Sequence, residues 1–377
     1  MQYTPLSLVQ QRISVGAPLP FNIRDNDGTL LLARGQIIAS LALRQALFER
    51  GALVDLDELR NPTSNVQQAA PHQLPGLWTA CLGRLGDTLR ESAQEGFVDA
   101  LDEAAPPVLA LIERDKDLAI FQILRQPGNA QVQYGVDHSM HAAITASLVA
   151  QRLGWNSDDT ERVFKAALTM NISMLELQGQ LAVQTTAPSP EQRAAILAHP
   201  DFSRRMLELS GVNDLDWLDA VSSHHETADG RGYPLGRRDV GDIATLVHRA
   251  DIYTAKLSPR IGRDAVAADK AGRMMFMQDP GHPMTAALVK EFGVYPPGCM
   301  VRLASGETGL VVKRGLTVMT PVVAVMTSPT GASLAQPLRR DTALAGFAVH
   351  SVLAAQAGKL RISPEALMAA AADSLSA

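Results

Sequence analysis

The sequence predicts a mainly α fold, an all-helical body flanked by a small N-terminal α+β module and a small C-terminal β module. Three observations predict it. Strand and turn signals fill the first 60 residues. Apolar residues recur at helical spacing from about Leu77 to Val294, and short β-branched runs separated by Gly and Pro follow. The 377 residues, 46% hydrophobic and 19% charged, suffice for two or three domains with sizeable cores. The net charge of −5 provides no basic field to recruit nucleic acid or anionic lipid. The only cysteines, Cys81 and Cys299, lie far apart and form no CxxC, which excludes a disulfide framework or zinc ribbon and fits a reducing cytoplasm. Met1 to Leu30 lacks the basic stretch and apolar run of a signal peptide. No apolar run reaches the roughly 18 residues that span a bilayer. A cytoplasmic protein with no nucleic-acid or membrane partner is expected.

Taken in order, residues 1–60 form the α+β module. Phe21-Asn22-Ile23-Arg24 and Thr29-Leu30-Leu31-Leu32 flank Asn26-Asp27-Gly28, a hairpin signal. Ser40 is placed to cap a helix through Arg50, which Gly51 stops. Nothing here carries catalytic chemistry, so a docking or sensory role is expected. Residues 61–76, rich in Asn, Pro, Gln and Ser, read as a linker. Residues 77–130 are a helical segment. Its stripes, Leu77, Trp78, Cys81, Leu82, Leu85 and Leu89 and then Leu118, Ile120, Phe121 and Leu124, suit helix packing or a face for homodimerisation.

Residues 131–295 form the main helical domain, with periodic runs at His138–Leu153, Asp158–Leu177, Pro190–Ser210 and Leu215–His224. Ser189 before Pro190 is an N-cap followed by Pro at the first helical position. Tyr295-Pro296-Pro297-Gly298 closes the domain. In residues 296–350, Met300–Leu303, Gly309–Val312 and Val322–Met326 read as strands. Residues 351–377 are a tail, Ala-rich and helical from about Ser363.

The densest chemistry lies in His224-His225-Glu226-Thr227-Ala228-Asp229-Gly230-Arg231-Gly232-Tyr233-Pro234. Imidazoles are metal ligands, and Gly-x-Gly with a following Pro lets backbone approach a ligand closely. The string resembles the HHExxDGxGYP signature of the HD-GYP phosphohydrolases, bacterial signalling domains that hydrolyse cyclic di-GMP at a cluster of two or three metal ions. The resemblance covers about Val136 to Arg263. It implies an HD-GYP-like helical bundle with metal ligands at His138, His199, His224, His225 and Asp251. It also implies substrate contacts from Asp229, Gly230, Gly232, Tyr233 and Pro234 in the loop, and from Arg260 and Arg263 after it.

The sequence departs from the family at the His-Asp pair that names it. That pair sits in a string like AALLHDIGK, and the corresponding run here is Ala166-Ala167-Leu168-Thr169-Met170-Asn171-Ile172-Ser173-Met174. Met170 replaces the histidine, Asn171 the metal-bridging aspartate and Met174 the lysine beside the reacting phosphate. A neutral amide bridges hard cations poorly, and methionine cannot neutralise phosphate charge. The resemblance therefore implies at most one divalent metal (Fe, Mn or Zn), or none. His199, His224 and His225 either hold it or form a hydrogen-bonded cluster. His138 and Asp251 either contribute to it or form a metal-free buried ion pair.

The function expected is that of a degenerate HD-GYP signalling protein that binds a partner or cyclic dinucleotide with weak or no hydrolysis. The alternative is an active metal-dependent cyclic di-GMP phosphodiesterase. A third reading gives the function to the flanking β modules, with the helical domain as a dimerising core. The implied partners are cyclic di-GMP or a related cyclic dinucleotide, and a bacterial signalling protein such as a GGDEF-domain protein. His141, one turn from His138, is at most an opportunistic ligand, and His248 reads as packing. Arg231 and the remaining histidines, His72, His282 and His350, read as surface residues.

Overall fold

The structure, a computed structural model, describes residues 3–16, 19–33, 36–55, 62–124 and 130–353. The chain divides into two compact units, Met1–Ala69 and Ala70–Ala377. The first contains strands β1 (Tyr3–Pro5), β2 (Ile23–Arg24) and β3 (Leu30–Leu32), helix α1 (Leu41–Glu49), strand β4 (Leu53–Asp55) and helix α2 (Pro62–Gln68). The strands form an antiparallel sheet in the order β1-β4-β2-β3. The hairpin closes as its sequence dictates. Asp25 N–H donates to Thr29 O, the Asp27 carboxylate accepts from Thr29 N–H, and Gly28 takes the positive φ that the turn requires. Ser40 caps α1, its hydroxyl accepting from Leu43 N–H at 3.2 Å. Phe21, Ile23, Ile38, Leu47 and Val54 fill the core of this unit.

The second unit is helical from α3 (Leu74–Arg90) through α4 (Phe97–Arg114), α5 (Lys116–Leu124), α6 (Ala130–Leu153), α7 (Ser157–Thr169), α8 (Leu175–Val183), α9 (Pro190–Leu209), α10 (Leu215–Ser223), α11 (Asp242–Leu257), α12 (Ala268–Gln278) and α13 (Pro283–Phe292). The stretch read as a linker carries α2 and the start of α3, because Pro is tolerated in the first turn of a helix. The central element is α6. Ala142, Ala143, Ile144, Ala146, Leu148, Val149 and Ala150 on it are fully buried, and it packs on α7, α8, α11 and α13. A helix buried on nearly every side is a core helix, and its alanines let neighbours approach closely. Among the described residues, no helix is long and apolar enough to cross a membrane.

One helix expected from the sequence is broken. The run Asp158–Leu177 splits into α7, a 3-10 turn at Ile172–Met174, and α8. Asn171 and Met174 leave helical geometry on either side of the turn. The turn is held from outside, where Ser173 Oγ donates to His199 O at 3.1 Å and lies 2.9 Å from Ser203 Oγ. Tertiary hydrogen bonds override the helical period here.

The C-terminal strands β5 (Met300–Leu303), β6 (Thr308–Lys313), β7 (Val322–Thr327), β8 (Ser333–Asp341) and β9 (Val349–Leu353) form an antiparallel sheet in the order β8-β7-β6-β5-β9. The last two were not read from the sequence, since β8 is mostly polar and half exposed. The expected tail helix lies outside the described residues. An ion-pair network joins this sheet to the helices. Arg314, just after β6, pairs with Asp117 of α5 and with the buried Glu291 of α13, and Arg152 of α6 donates to the same Glu291 carboxylate.

Removing Glu291 leaves both guanidiniums without this partner. Breaking a sealed pair costs about 3–5 kcal/mol. Arg152 and Arg314 keep 37% and 31% of their side-chain exposure, so water compensates in part. Glu291→Ala is expected to destabilise by about 2 kcal/mol, seen as a lower Tm by calorimetry; an unchanged Tm would mean that the network contributes nothing.

Burial of His141 on α6 pushes its pKa from 6.5 down to about 4, with the neighbouring His138 adding to the effect. The unfolded chain takes up this proton near pH 6.5 and the folded chain resists it until about pH 4. The stability is complete above pH 6.5 and falls as pH drops toward 4, by up to about 3 kcal/mol. His141→Leu should flatten part of that acid slope in urea titrations at successive pH values.

Candidate metal centre

His199 sits on the third turn of α9, immediately before Pro200. Proline has no N–H to donate to the carbonyl four residues back, which frees the Ile196 oxygen. His199 Nδ1–H donates to that oxygen at 2.6 Å. His224 follows the last residue of α10, where terminal carbonyls lack helical partners. Its Nδ1–H donates to Val221 O at 2.7 Å. Burial lowers the pKa of both imidazoles, so both are neutral near pH 7. Each therefore carries its one proton on Nδ1 and a bare lone pair on Nε2. These two Nε2 atoms face one another at 3.1 Å.

Two lone pairs at that distance repel unless a cation lies between them. His225 completes the set. Ligand atoms of His199, His224 and His225 all lie within 4.8 Å of one another, the one such group of three among the described residues. Burial, opposed by the Asp251 charge, pushes His225 down to about 3. Three neutral imidazoles, two with tautomers set by main-chain carbonyls, fit a divalent transition metal such as Zn, Fe or Mn.

His138 and Asp251 are placed differently. His138 Nε2 and Asp251 Oδ1 are 2.7 Å apart in a direct hydrogen bond between α6 and α11. Burial works to raise the Asp251 pKa, but the His138 hydrogen bond and the surrounding imidazoles hold it well below the usual carboxylate range. His138 Nδ1 is buried with no partner. Its ring stacks on Tyr134 at 5.9 Å, and the Arg260 guanidinium covers the other ring at 4.9 Å. Arg260 also donates to the Tyr134 hydroxyl and bridges to Arg263 through paired main-chain hydrogen bonds. Arg263 is exposed, with its guanidinium donating to Ala255 O.

The glycine-rich loop folds back on the histidines. Tyr233 N–H donates to His225 O, and the Tyr233 ring stacks on His225 at 4.4 Å and 23°. A Cβ on Gly232 would lie 2.4 Å from His225 O and from Glu226 Cα, so only glycine allows this approach. Asp229 is exposed and serves the turn, accepting from the Thr227 hydroxyl and from Arg231 N–H. Gly230 takes positive φ, and Pro234 follows a cis peptide bond. Glu226 is buried, and its carboxylate accepts from Leu235 N–H at 2.7 Å and Arg237 N–H at 2.9 Å.

Met170 is fully buried at the end of α7, and Asn171 is buried with its Oδ1 unpartnered. Met174 is half-buried at the start of α8. His141 is buried and lies outside the three-histidine group. His282 is half-buried and caps α13, while His72 and His350 are exposed. His248, read as packing, makes a specific bond, its Nδ1–H donating to His224 O at 2.7 Å. The roles of Pro200, Glu226 and Tyr134 were also missed. Of these only the His-Pro dipeptide carried a local signal, a proline inside a helical period.

The HD domain family matches residues 128–279. The chain is 36% identical over 137 residues to the cyclic di-GMP phosphodiesterase PA4108 of Pseudomonas aeruginosa, an alignment covering 34% of this chain and 33% of that protein. It is 27% identical over 150 residues to the 3'3'-cGAMP-specific phosphodiesterase 3 of Vibrio cholerae, covering 39% and 32%. The chain thus spans about a third of the length of these curated relatives. Among solved structures it is similar in fold to an HDG"Y"P protein of Bdellovibrio bacteriovorus, with a TM-score of 0.51 at 16% identity over 77% of this chain and 98% of that one. Residues 128–279, which carry the three histidines, the His138–Asp251 pair and the loop, are therefore an HD domain.

Proposed function

We propose that this chain is a signalling protein whose HD domain binds one divalent metal at His199, His224 and His225, and binds a cyclic dinucleotide there with weak or no hydrolysis. The observation that carries this reading is the division of the donor set. Three histidines converge within 4.8 Å, while Asp251, the only carboxylate among the candidate ligands, is hydrogen-bonded to His138. The position of the family's bridging carboxylate holds Asn171, a neutral amide, beside the apolar Met170. The relatives named for cyclic di-GMP and 3'3'-cGAMP phosphodiesterase activity supply the ligand class.

A divalent ion held by the three histidines supplies Lewis-acid stabilisation of a phosphate ester. The chain's own residues do the rest. The Ile196 and Val221 carbonyls keep the protons of His199 and His224 on Nδ1, so both Nε2 atoms stay available. Tyr233, stacked on His225, offers an aromatic face at the loop for a nucleobase. Arg260 and Arg263 bring two positive charges to one bridge for phosphate. Asp251, the one carboxylate among the candidate ligands, is engaged by His138 and so is not free to be shared between two ions or to take a proton from water.

The purified protein is expected to hold about one metal equivalent and to bind cyclic di-GMP in calorimetry with slow or undetectable turnover. The triple variant Met170→His, Asn171→Asp, Met174→Lys should raise metal content first and then the hydrolysis rate, by about 10²–10³. Turnover by the unmodified protein that matches the triple variant would replace this reading with that of an active phosphodiesterase. Gly232→Ala, which forces the loop off His225, should weaken cyclic di-GMP binding by at least about tenfold. Metal content should fall less, because no metal ligand is changed.

A further inference from the structure

We propose that His248 is a positioning residue of the three-histidine centre, holding the peptide unit between His224 and His225 so that both imidazoles meet the same ion. The inference rests on the metal reading above. His248 lies half-buried on α11, one helical turn before Asp251, and neither the family signature nor the three-histidine group includes it. Its Nδ1–H donates to the carbonyl oxygen of His224 at 2.7 Å. That carbonyl belongs to the residue capping α10, where no helical N–H reaches it.

The bonded group explains the effect. The His224 carbonyl is part of the peptide plane joining the two adjacent ligands. Fixing that plane fixes the torsion after His224 Cα and the torsion before His225 Cα, which together set one ring against the other. The two rings sit 4.1 Å apart at 43°. The next peptide plane, on the far side of His225, is held by Tyr233 N–H, which donates to His225 O. The His248 ring also stands perpendicular to His225, at 88° and 6.3 Å between centroids, and limits how far that ring can swing. Adjacent residues in a chain do not naturally aim two side chains at one point, so a restraint on the intervening peptide is what such a ligand pair requires. Outer partners of this kind commonly contribute 10–100-fold, roughly, in metal affinity.

The experiment compares the full-length wild type with His248→Ala and His248→Asn, using Co²⁺ as the probe. Affinity is read by chelator competition and coordination by visible absorption, with melting of the metal-free proteins as a folding control. Asparagine can present an amide N–H near the position of Nδ1. His248→Ala should bind Co²⁺ about 10–100-fold more weakly, and His248→Asn should recover most of that loss with a wild-type absorption band. If His248→Ala fails to fold, His248→Gln, whose amide reaches nearer the position of Nε2, takes its place in the comparison. Equal affinity of His248→Ala and wild type overturns the inference and leaves the metal reading standing. Equal weakness of Ala and Asn variants with an altered band also overturns it, because the imidazole would then be a ligand itself. Absence of Co²⁺ binding by the wild type overturns the metal reading and this inference together.

Discussion

The main-chain carbonyls of Ile196, Val221 and His224 lie where helical hydrogen bonding is interrupted, and the centre depends on them. Pro200 releases the first, and the end of α10 releases the other two. Each accepts from an imidazole Nδ1–H, at 2.6, 2.7 and 2.7 Å. An uncapped carbonyl in a protein interior is a cost, and here that cost is relieved by imidazoles whose tautomers the same bonds settle. Helix breaks and imidazole orientation are one arrangement.

The helical body serves this arrangement by keeping three helices in fixed register. α9 brings His199, α10 ends at His224, and α11 brings His248 and Asp251. α6 lies behind them as an apolar core helix and contributes His138. The ion pairs through Glu291 tie α6, α13 and α5 to the start of the β6–β7 connection, so the C-terminal sheet braces the helix that carries His138. The 3-10 turn after Asn171 is braced in the same way, through the Ser173 hydroxyl and the His199 carbonyl.

Much of this was legible in the chain. The Asn26-Asp27-Gly28 turn, the Ser40 cap and the long apolar periods of α6 and α9 are local signals, and local physics decides them. The string from His224 to Pro234 could be read because histidines and glycines are contiguous there. The break at Asn171 could not, since the groups that stabilise it, His199 and Ser203, lie on another helix. The direct pairing of His138 with Asp251 spans 113 positions; it was one of the two roles the sequence left open for them, reached through the family resemblance and not through a local signal. The hydrogen bond of His248 could not be read either, as its partner is a backbone oxygen with no sequence signature. β8 lacked the alternating pattern that would have marked it.

The grip of Glu226 on the Leu235 and Arg237 amides makes the glycine-rich segment a ring, closed by a side chain instead of a disulfide. The entropy of closing that ring is lost once, when the domain folds. A molecule docking on its rim meets a preorganised surface and has no loop to order, so the affinity it shows reflects contacts more directly than conformational adjustment. The ring also separates two kinds of sequence change. Residues such as Arg231, exposed on its outer edge, can vary without opening it, whereas a residue inserted between Glu226 and Leu235 must either bulge outward or break the closure.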